Sequence, residues 1–151
     1  MQYLHQVDLL HILPALSKRI IVPISVVGEL ASGRRLGLSV PEPERLAWVE
    51  IKRSVSAVIL PLVTDLGTGE TEVLALAREN EGSVAVIDDG LARRVAQLLG
   101  LPLTGTLGLL LDAKRKNLIP MVKPVLDELD ALRFRLSSQT RTAVLRLAGE
   151  E

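Results

Sequence analysis

The spacing of apolar residues in the first third of the chain alternates between helical and strand periods. Residues 3–16 have apolar side chains at every third position, which predicts an amphipathic helix. The β-branched run at residues 20–22 ends at a proline and predicts a buried strand. From residue 25 the spacing is helical again, and Gly33 is expected to end that helix.

The same alternation continues to the end of the chain. Residues 34–47 are rich in Gly, Pro and charge, and predict a loop that enters a short helix around Trp48. Residues 55–63 have strand propensity that Pro61 interrupts. The later predicted elements are helices at 70–79, 91–99, 105–117 and 122–132, strands at 83–87 and 101–104, an edge strand at 134–136, and a C-terminal helix within 137–151 capped by Ser137 or Ser138.

Strands that alternate with helices of about ten residues indicate the α/β class, with three layers (α/β/α) around a short parallel sheet. The sequence has no internal repeat, and its one linker-like stretch, residues 33–44, is too short to separate two domains. A single domain spanning residues 1–151 is therefore expected.

Composition limits the chemistry that this domain can perform. The chain has no cysteine, so any metal ion must be held by oxygen ligands or by its two histidines, His5 and His11. Lone histidines six positions apart favour surface or core packing over a paired ligand face. Eighteen acidic residues balance eighteen basic ones, although residues 114–146 hold eight Lys or Arg against three acids. That segment suits contact with phosphates or a solvated helix face.

No apolar run is long enough to span a membrane, and the first residues lack the basic start of a secretion signal, so the cytoplasm is the expected compartment.

Two acids follow the predicted strand at 83–87 directly. Ligand sites in a parallel α/β sheet lie beyond the carboxyl ends of the strands, which is where Asp88 and Asp89 are expected. Two neighbouring carboxylates repel each other, so a cation is a natural partner. Capping of the next helix by Asp89 explains the same residue without a ligand.

Two further acids are candidates from their positions on helices. Glu70 follows a Gly-Thr-Gly turn, where a carboxylate favours helix initiation as well as a site at the sheet edge. Glu29 is expected near the end of its helix, where a negative charge opposes the helix dipole, so it has less structural reason to be there. Simple surface exposure remains the alternative for Glu29. Glu72 is expected on a different helix face.

The order of these segments resembles the PIN-domain family (PilT N-terminus domains, including VapC-like toxins), in one of its PIN-like branches. The resemblance covers nearly the whole chain and rests on four segments: Val22-Pro23-Ile24-Ser25-Val26-Val27-Gly28-Glu29-Leu30, Gly69-Glu70-Thr71-Glu72-Val73-Leu74-Ala75-Leu76-Ala77, Val86-Ile87-Asp88-Asp89-Gly90-Leu91-Ala92-Arg93-Arg94-Val95-Ala96 and Leu103-Thr104-Gly105-Thr106-Leu107-Gly108.

The resemblance implies a catalytic site for metal-dependent cleavage of single-stranded RNA. Mg²⁺ or Mn²⁺ would be bound by Glu29, Glu70 and Asp89, with Asp88 as a further catalytic acid beside them. The resemblance also implies substrate contacts from Thr104, Thr106, Arg93 and Arg94. The turn and cap of the next helix, and an exposed helix flank, explain these four residues equally well.

The sequence departs from the family pattern at its start. Family members open with a short apolar strand, normally central in the sheet, that ends in an Asp ligand, and the sequence begins after that strand. Asp8 is expected inside the first helix and does not replace this ligand. Three explanations are open: a gene start placed too late, a silent relative of active nucleases, or a strand donated by another chain. RNA cleavage by this chain alone is expected to be weak or absent.

Three hypotheses of different classes follow. The leading one is a VapC-like ribonuclease, a toxin-antitoxin component or its relative, that forms a homodimer and whose acidic cleft is filled by a segment of an antitoxin. The second is a noncatalytic binding or oligomerisation module with the same fold. The third is a phosphate-binding receiver-like protein, which lacks a matching Asp at a second strand and a Lys after a later one.

Overall fold

Residues 1–55 and 66–151 are described in a computed structural model of the chain. Within them the protein is a mixture of helices and short parallel strands, which confirms the α/β class. They divide into two compact parts, one of residues 19–105 and one of residues 1–18 with 106–151. The single-domain organisation stays a prediction. Apart from Val55, the strand predicted at 55–63 lies outside the described residues.

The helices and strands alternate through most of the chain. In order they are α1 (Gln2–Gln6), α2 (Ile12–Leu16), β1 (Ile20–Pro23), α3 (Ile24–Arg35), a 3-10 turn (Pro43–Arg45), β2 (Val49–Lys52), α4 (Thr68–Glu79), β3 (Ala85–Val86), α5 (Gly90–Leu98), β4 (Leu103–Thr104), α6 (Thr106–Arg115), α7 (Lys123–Ala131) and α8 (Ser138–Ala148).

The strands of residues 19–105 form two parallel pairs. Strand β1 pairs with β2, with Ile20 opposite Val49, and β3 pairs with β4, with Ala85 opposite Leu103. Parallel neighbours need a long crossover connection, which α5 supplies between β3 and β4. The predicted parallel pairing is confirmed, and within residues 1–55 and 66–151 the strands form two short sheets with no hydrogen-bonded ladder between them.

Helix α4 is central to this part of the protein, since it contacts β1, β3, α3 and α5. Its Leu74 and Ala75 are fully buried. The buried cluster around them consists of Leu74, Ala75, Ala85, Ile87, Ala92, Val95 and Ala96. Because α4 is held on several sides, its N-terminus is a well-defined place for polar side chains from the neighbouring elements.

The other compact part is helical. Helix α6 contacts α2 and α8, and Leu110, Leu126 and Leu129 are fully buried. The rings of Tyr3 and Phe134 meet edge to face with centroids 4.9 Å apart, a favoured aromatic arrangement. Among the described helices, none has the length and apolar character needed to cross a membrane.

The single helix predicted over residues 3–16 is wrong. It is two short helices, α1 and α2, separated by a turn in which Asp8 has φ 58°. The amide of Leu9 donates to the carbonyl of Leu4 at 2.7 Å and closes this turn. Asp is one of the few residues that tolerate a left-handed conformation, so it breaks the helix despite the continuous apolar spacing. Asp8 therefore lies in the break and not inside a helix.

Helix α3 runs past Gly33, so the predicted end of that helix is wrong. Gly37, with φ 85°, follows the helix instead, and the amide of Leu38 donates to the carbonyl of Gly33. This is the left-handed glycine ending that many helices use. As a consequence, Glu29 lies in the middle of α3 and not near its end.

Two other predicted elements differ from the structure. The short helix expected around Trp48 is replaced by the 3-10 turn and by strand β2, whose extended form is fixed by its pairing with β1. Residues 134–136 are not a strand. The prediction of a serine cap on the last helix is confirmed, because the Ser137 hydroxyl accepts a hydrogen bond from the Thr140 amide at 3.1 Å.

Candidate functional site: acidic side chains at helix N-termini

Glu29 reaches from α3 to the N-terminus of α4. Its Oε1 accepts a hydrogen bond from the amide of Gly69 at 3.0 Å. The first amides of a helix have no partner within the helix, and the dipole there favours negative charge. A carboxylate from one helix therefore stabilises the start of another, forty residues away along the chain.

Glu70 lies at the same helix end. It is the third residue of α4, and its carboxylate folds back over Gly67, the residue that precedes the helix. A Cβ atom added at Gly67 would overlap this carboxylate. The structure thus brings two of the predicted acids, Glu29 and Glu70, to one helix terminus from separate elements.

Asp89 caps helix α5. Its Oδ1 accepts a hydrogen bond from the amide of Ala92 at 2.8 Å, so the capping interpretation is confirmed. Capping uses one carboxylate oxygen. Among the described residues, the Asp89 side chain accepts this hydrogen bond from Ala92 at Oδ1, and Oδ2 is not involved in it.

Asp88 and Arg93 lie together over Gly105. The position of a Cβ added at Gly105 is 2.7 Å from Asp88 Oδ1 and 2.9 Å from Arg93 Nη1. Arg93 Nη1 also donates to the carbonyl of Ile87 at 2.7 Å. Its guanidinium is therefore attached to the end of β3, directly beside one of the predicted catalytic acids.

The other predicted substrate contacts are distributed differently. Thr104 is the half-buried last residue of β4, and Arg94 is exposed on α5. Thr106 begins α6 in the other compact part, and it is buried. Of the four predicted substrate contacts, Arg94 is the exposed one, so it can reach a phosphate without any rearrangement of the fold.

Glu72 is a buried acid that the sequence reasoning missed. It is 6% exposed, and both of its oxygens are occupied. Oε2 accepts hydrogen bonds from the amide of Ser25 at 2.8 Å and from the Ser25 hydroxyl, while Oε1 accepts from the amide of Ser54 at 3.0 Å. Glu72 thereby joins the start of α3, the end of β2 and α4.

The surroundings of Glu72 keep it ionised. Burial raises the pKa of its carboxyl, but the hydrogen bonds from Ser25 and Ser54 lower it by more, so the pKa lies below its ordinary value. A signal for this residue was present in the sequence. Ala75 and Leu76, three and four residues further along the same helix, are buried, so helical spacing places Glu72 on the buried face.

The donor chemistry of these residues fits a hard divalent cation, since the candidate ligands are carboxylates and the chain has no cysteine. The arrangement of these ligands is not that of a complete metal site. Among residues 1–55 and 66–151, no three acidic or histidine side chains lie close enough together to hold a metal ion. The acids are distributed instead over the N-termini of α4 and α5, with Asp88 over Gly105.

Comparison with known proteins gives one match. A family model described as a PIN domain (DUF3368) matches residues 1–150, which is nearly the whole chain. The search of curated proteins found no match. The search of solved structures found none either.

Proposed function

We propose a nuclease function for this chain, which belongs to the PIN-domain family. The activity that we infer is metal-dependent hydrolysis of single-stranded RNA, with Mg²⁺ or Mn²⁺ bound by Glu29, Glu70 and Asp89 and with Asp88 as a further catalytic acid. The observation that supports it most directly is the meeting of Glu29 and Glu70 at the N-terminus of α4. Two carboxylates from different elements at one point are a natural start for a cation site.

The hydrogen bonds of these acids separate potential ligands from purely structural carboxylates. Among the described residues, Glu29 and Asp89 each use one oxygen to accept a backbone amide hydrogen bond, which leaves the second oxygen for coordination in the proposed site. Glu72 accepts hydrogen bonds at both oxygens and is buried, so a ligand reaches it less easily. We therefore assign Glu29 and Asp89 to the proposed site and exclude Glu72 from it.

A divalent ion in such a site supplies activation of a water molecule and stabilisation of the charge that develops on the phosphate. The chain's own residues supply orientation. The amide of Gly69 fixes the Glu29 carboxylate, and the amide of Ala92 fixes that of Asp89. Since no three acidic or histidine side chains are grouped among the described residues, the proposed site requires these acids to move closer together when the ion binds.

The substrate and partners belong to the same proposal. Arg94 is the exposed cation nearest in sequence to Asp88 and Asp89 and is suited to an RNA phosphate. Thr104 and Thr106 remain proposed substrate contacts, as does Arg93. We further propose that the protein is a VapC-like toxin or a relative of one, which forms a homodimer and is neutralised by an antitoxin that occupies its acidic cleft.

Mn²⁺ binding and RNA cleavage test this proposal. Mn²⁺ at about 100 times its Kd stabilises a protein by about 2.7 kcal/mol, which raises the Tm of a domain of this size by about 5–10 °C. The variant Asp89→Asn removes the charge but keeps the cap, because Asn caps helices as well as Asp. We expect Asp89→Asn to melt like the wild type without metal, to lose the Mn²⁺-dependent gain in Tm, and to lose any Mn²⁺-dependent cleavage of single-stranded RNA.

The control for that experiment is Glu81→Gln, which removes one negative charge from an exposed residue outside the site. It should respond to Mn²⁺ as the wild type does. An equal Mn²⁺ response in Asp89→Asn and in the wild type would contradict the ligand assignment.

A noncatalytic PIN-fold module for binding or oligomerisation is the second candidate. The observation that favours it is the use of Glu29 and Asp89 as caps on backbone amides, with no group of three ligands in the described part of the chain. In that case Mn²⁺ changes neither the Tm nor the state of the RNA, while sedimentation shows concentration-dependent self-association. A protein that remains monomeric and still cleaves RNA would exclude this candidate.

A further inference from the structure

Three glycines lie directly against candidate acids. A Cβ atom built on Gly69 lies 2.7 Å from both carboxylate oxygens of Glu29, closer than real Cβ atoms approach other groups. A Cβ on Gly105 lies 2.7 Å from Asp88 Oδ1. A Cβ on Gly67 overlaps the carboxylate of Glu70. An added Cβ meets only ordinary contacts at Gly33, where the nearest atom is Leu38 Cδ1 at 3.6 Å, and it meets no atom within 4 Å at six other glycines: Gly28, Gly37, Gly82, Gly90, Gly100 and Gly149.

The backbone itself gives no reason for glycine at these three positions. None of the three has φ in the left-handed region, so any residue can adopt the conformation. Gly67 has φ −64° and ψ 159° and precedes α4, where Ser, Thr, Asn and Asp are better caps. Gly69 lies inside the first turn of the helix, where Ala is the better helix former. At these positions glycine leaves room for a neighbouring carboxylate, which a Cβ atom would overlap.

We propose that Gly69 is a positioning residue for Glu29, and that Gly105 has the same role for Asp88. The absent Cβ at residue 69 lets the Glu29 carboxylate lie on the helix terminus, with one oxygen on the amide of Gly69 and the other available for a ligand. This inference rests on the proposed function only for the identity of that ligand. The close approach of the carboxylate to glycine is a property of the fold.

The expected effect of a methyl group at residue 69 follows from the distances. An ordinary contact needs at least 3.4 Å, so the Glu29 oxygens at 2.7 Å have to retreat by about 0.7 Å. The carboxylate is the end of a flexible side chain and moves more easily than the backbone. Gly69→Ala therefore keeps the fold, breaks the hydrogen bond from residue 69 to Glu29, and displaces one proposed ligand.

At Gly105 the neighbours are stiffer. The added Cβ meets the short Asp88 side chain, and it also lies 3.2 Å from the backbone carbonyl of Ile87. Arg93 is attached to the same carbonyl, so its guanidinium has little room to move away. Gly105→Ala is therefore expected to perturb the end of β3, which makes Gly69 the better position for a decisive test.

A double-mutant cycle of the full chain without metal tests the positioning role. The proteins are the wild type, Gly69→Ala, Glu29→Ala and the double variant, each measured by thermal unfolding. In the Glu29→Ala background the methyl group meets no carboxylate, so Gly69→Ala should raise the Tm through better helix propensity. In the wild-type background the lost hydrogen bond offsets that gain, and the Tm should stay constant or fall. The same Tm change in both backgrounds would overturn the proposal.

Gly28→Ala is the matched control, because Gly28 precedes Glu29 in the same helix and has free space around it. It should change the Tm equally with and without Glu29. A spectroscopic readout separates positioning from general stability. With Gly69 present, Glu29→Ala should move the amide proton resonance of residue 69, and in the Gly69→Ala background the same substitution should leave that resonance in place. An unchanged response in Gly69→Ala would overturn the proposal even if the Tm values agreed with it.

The two proposals fail in different ways. Coupling between residues 29 and 69 in the cycle, with no Mn²⁺ effect on any protein, supports the positioning role and refutes the metal-dependent nuclease. An Mn²⁺ effect that Asp89→Asn abolishes, with no coupling in the cycle, supports the nuclease and overturns the positioning role. With both roles correct, Gly69→Ala also weakens Mn²⁺ binding while Gly28→Ala does not.

Discussion

Glu72 offers the sharpest test of how residues 19–105 are held together. Its buried carboxylate accepts hydrogen bonds from the amide and hydroxyl of Ser25 and from the amide of Ser54. In Glu72→Gln one oxygen becomes an NH₂ group, which donates and cannot accept. At least one of the two backbone amides then faces another donor.

The size of the effect follows from the number of lost bonds. Removal of one hydrogen bond to a charged, buried acceptor costs about 2 kcal/mol. For a domain of this size that lowers the Tm by about 4–8 °C. The control is Glu81→Gln, the same chemical change at an exposed residue, which should leave the Tm within about 1–2 °C of the wild type.

The pH dependence adds a second measurement. The hydrogen bonds hold the pKa of Glu72 below its ordinary value of 4.5, so the unfolded state binds the proton more readily than the folded state. The stabilisation is complete above pH 4.5 and is lost as pH falls below that value through the folded pKa. Wild type and Glu72→Gln should therefore converge in Tm as the pH is lowered. Equal Tm values for Glu72→Gln and Glu81→Gln at pH 7 would refute the reasoning.

Two further predictions concern ion pairs in the two compact parts. Arg19 donates two hydrogen bonds to Glu50, at 2.8 and 3.0 Å, and lowers the pKa of Glu50 to about 2. The stability that this pair contributes is present above pH 4.5 and is lost as pH falls toward 2. Arg19→Ala should raise the pKa of Glu50 in an NMR titration, and an unchanged pKa would show that Arg19 does not cause the shift. Glu150 accepts hydrogen bonds from Lys114 at 2.5 Å and from the amides that precede and begin α7 at 2.6 and 2.8 Å, and its side chain is 6% exposed. Glu150→Gln should destabilise the protein by about 2 kcal/mol in thermal or urea unfolding. The control Glu151→Gln removes a charge beside the exposed Arg146 and should change the stability little. Equal effects of the two substitutions would show that Glu150 does not hold α7.

Much of the local structure was predictable because it depends on short-range rules. Strand β1, helix α4 and helix α5 lie close to their predicted positions, since apolar spacing and flanking turn residues are read over a few positions. The caps formed by Asp89 and Ser137 are contacts over three residues. Where local spacing was misleading, a single left-handed residue, Asp8 after α1 and Gly37 after α3, ended the helix at a point that apolar periodicity does not reveal.

The candidate site shows where such reasoning stops. Position along the sequence identified Glu29, Glu70, Asp88 and Asp89 as acids of interest, and the family resemblance implied one common role for them beside the local alternatives of capping, helix initiation and surface exposure. In the folded chain they have different partners: Glu29 binds the amide of Gly69, Asp89 caps its own helix, and Asp88 lies over Gly105. For Glu29 and Asp89, the backbone partner decides which carboxylate oxygen is used within the fold.

By itself the sequence determined the α/β class, most element positions and the short-range caps, because these follow from the spacing of apolar residues and from contacts between near neighbours. Only the tertiary structure decided that strands β1 to β4 form two pairs, that Glu72 accepts hydrogen bonds from Ser25 and Ser54, and that Glu29 lies on Gly69. Glu72 and Ser25 are 47 residues apart and Glu29 and Gly69 are 40 apart. Contacts over such separations depend on how whole elements pack, and no local pattern encodes that packing.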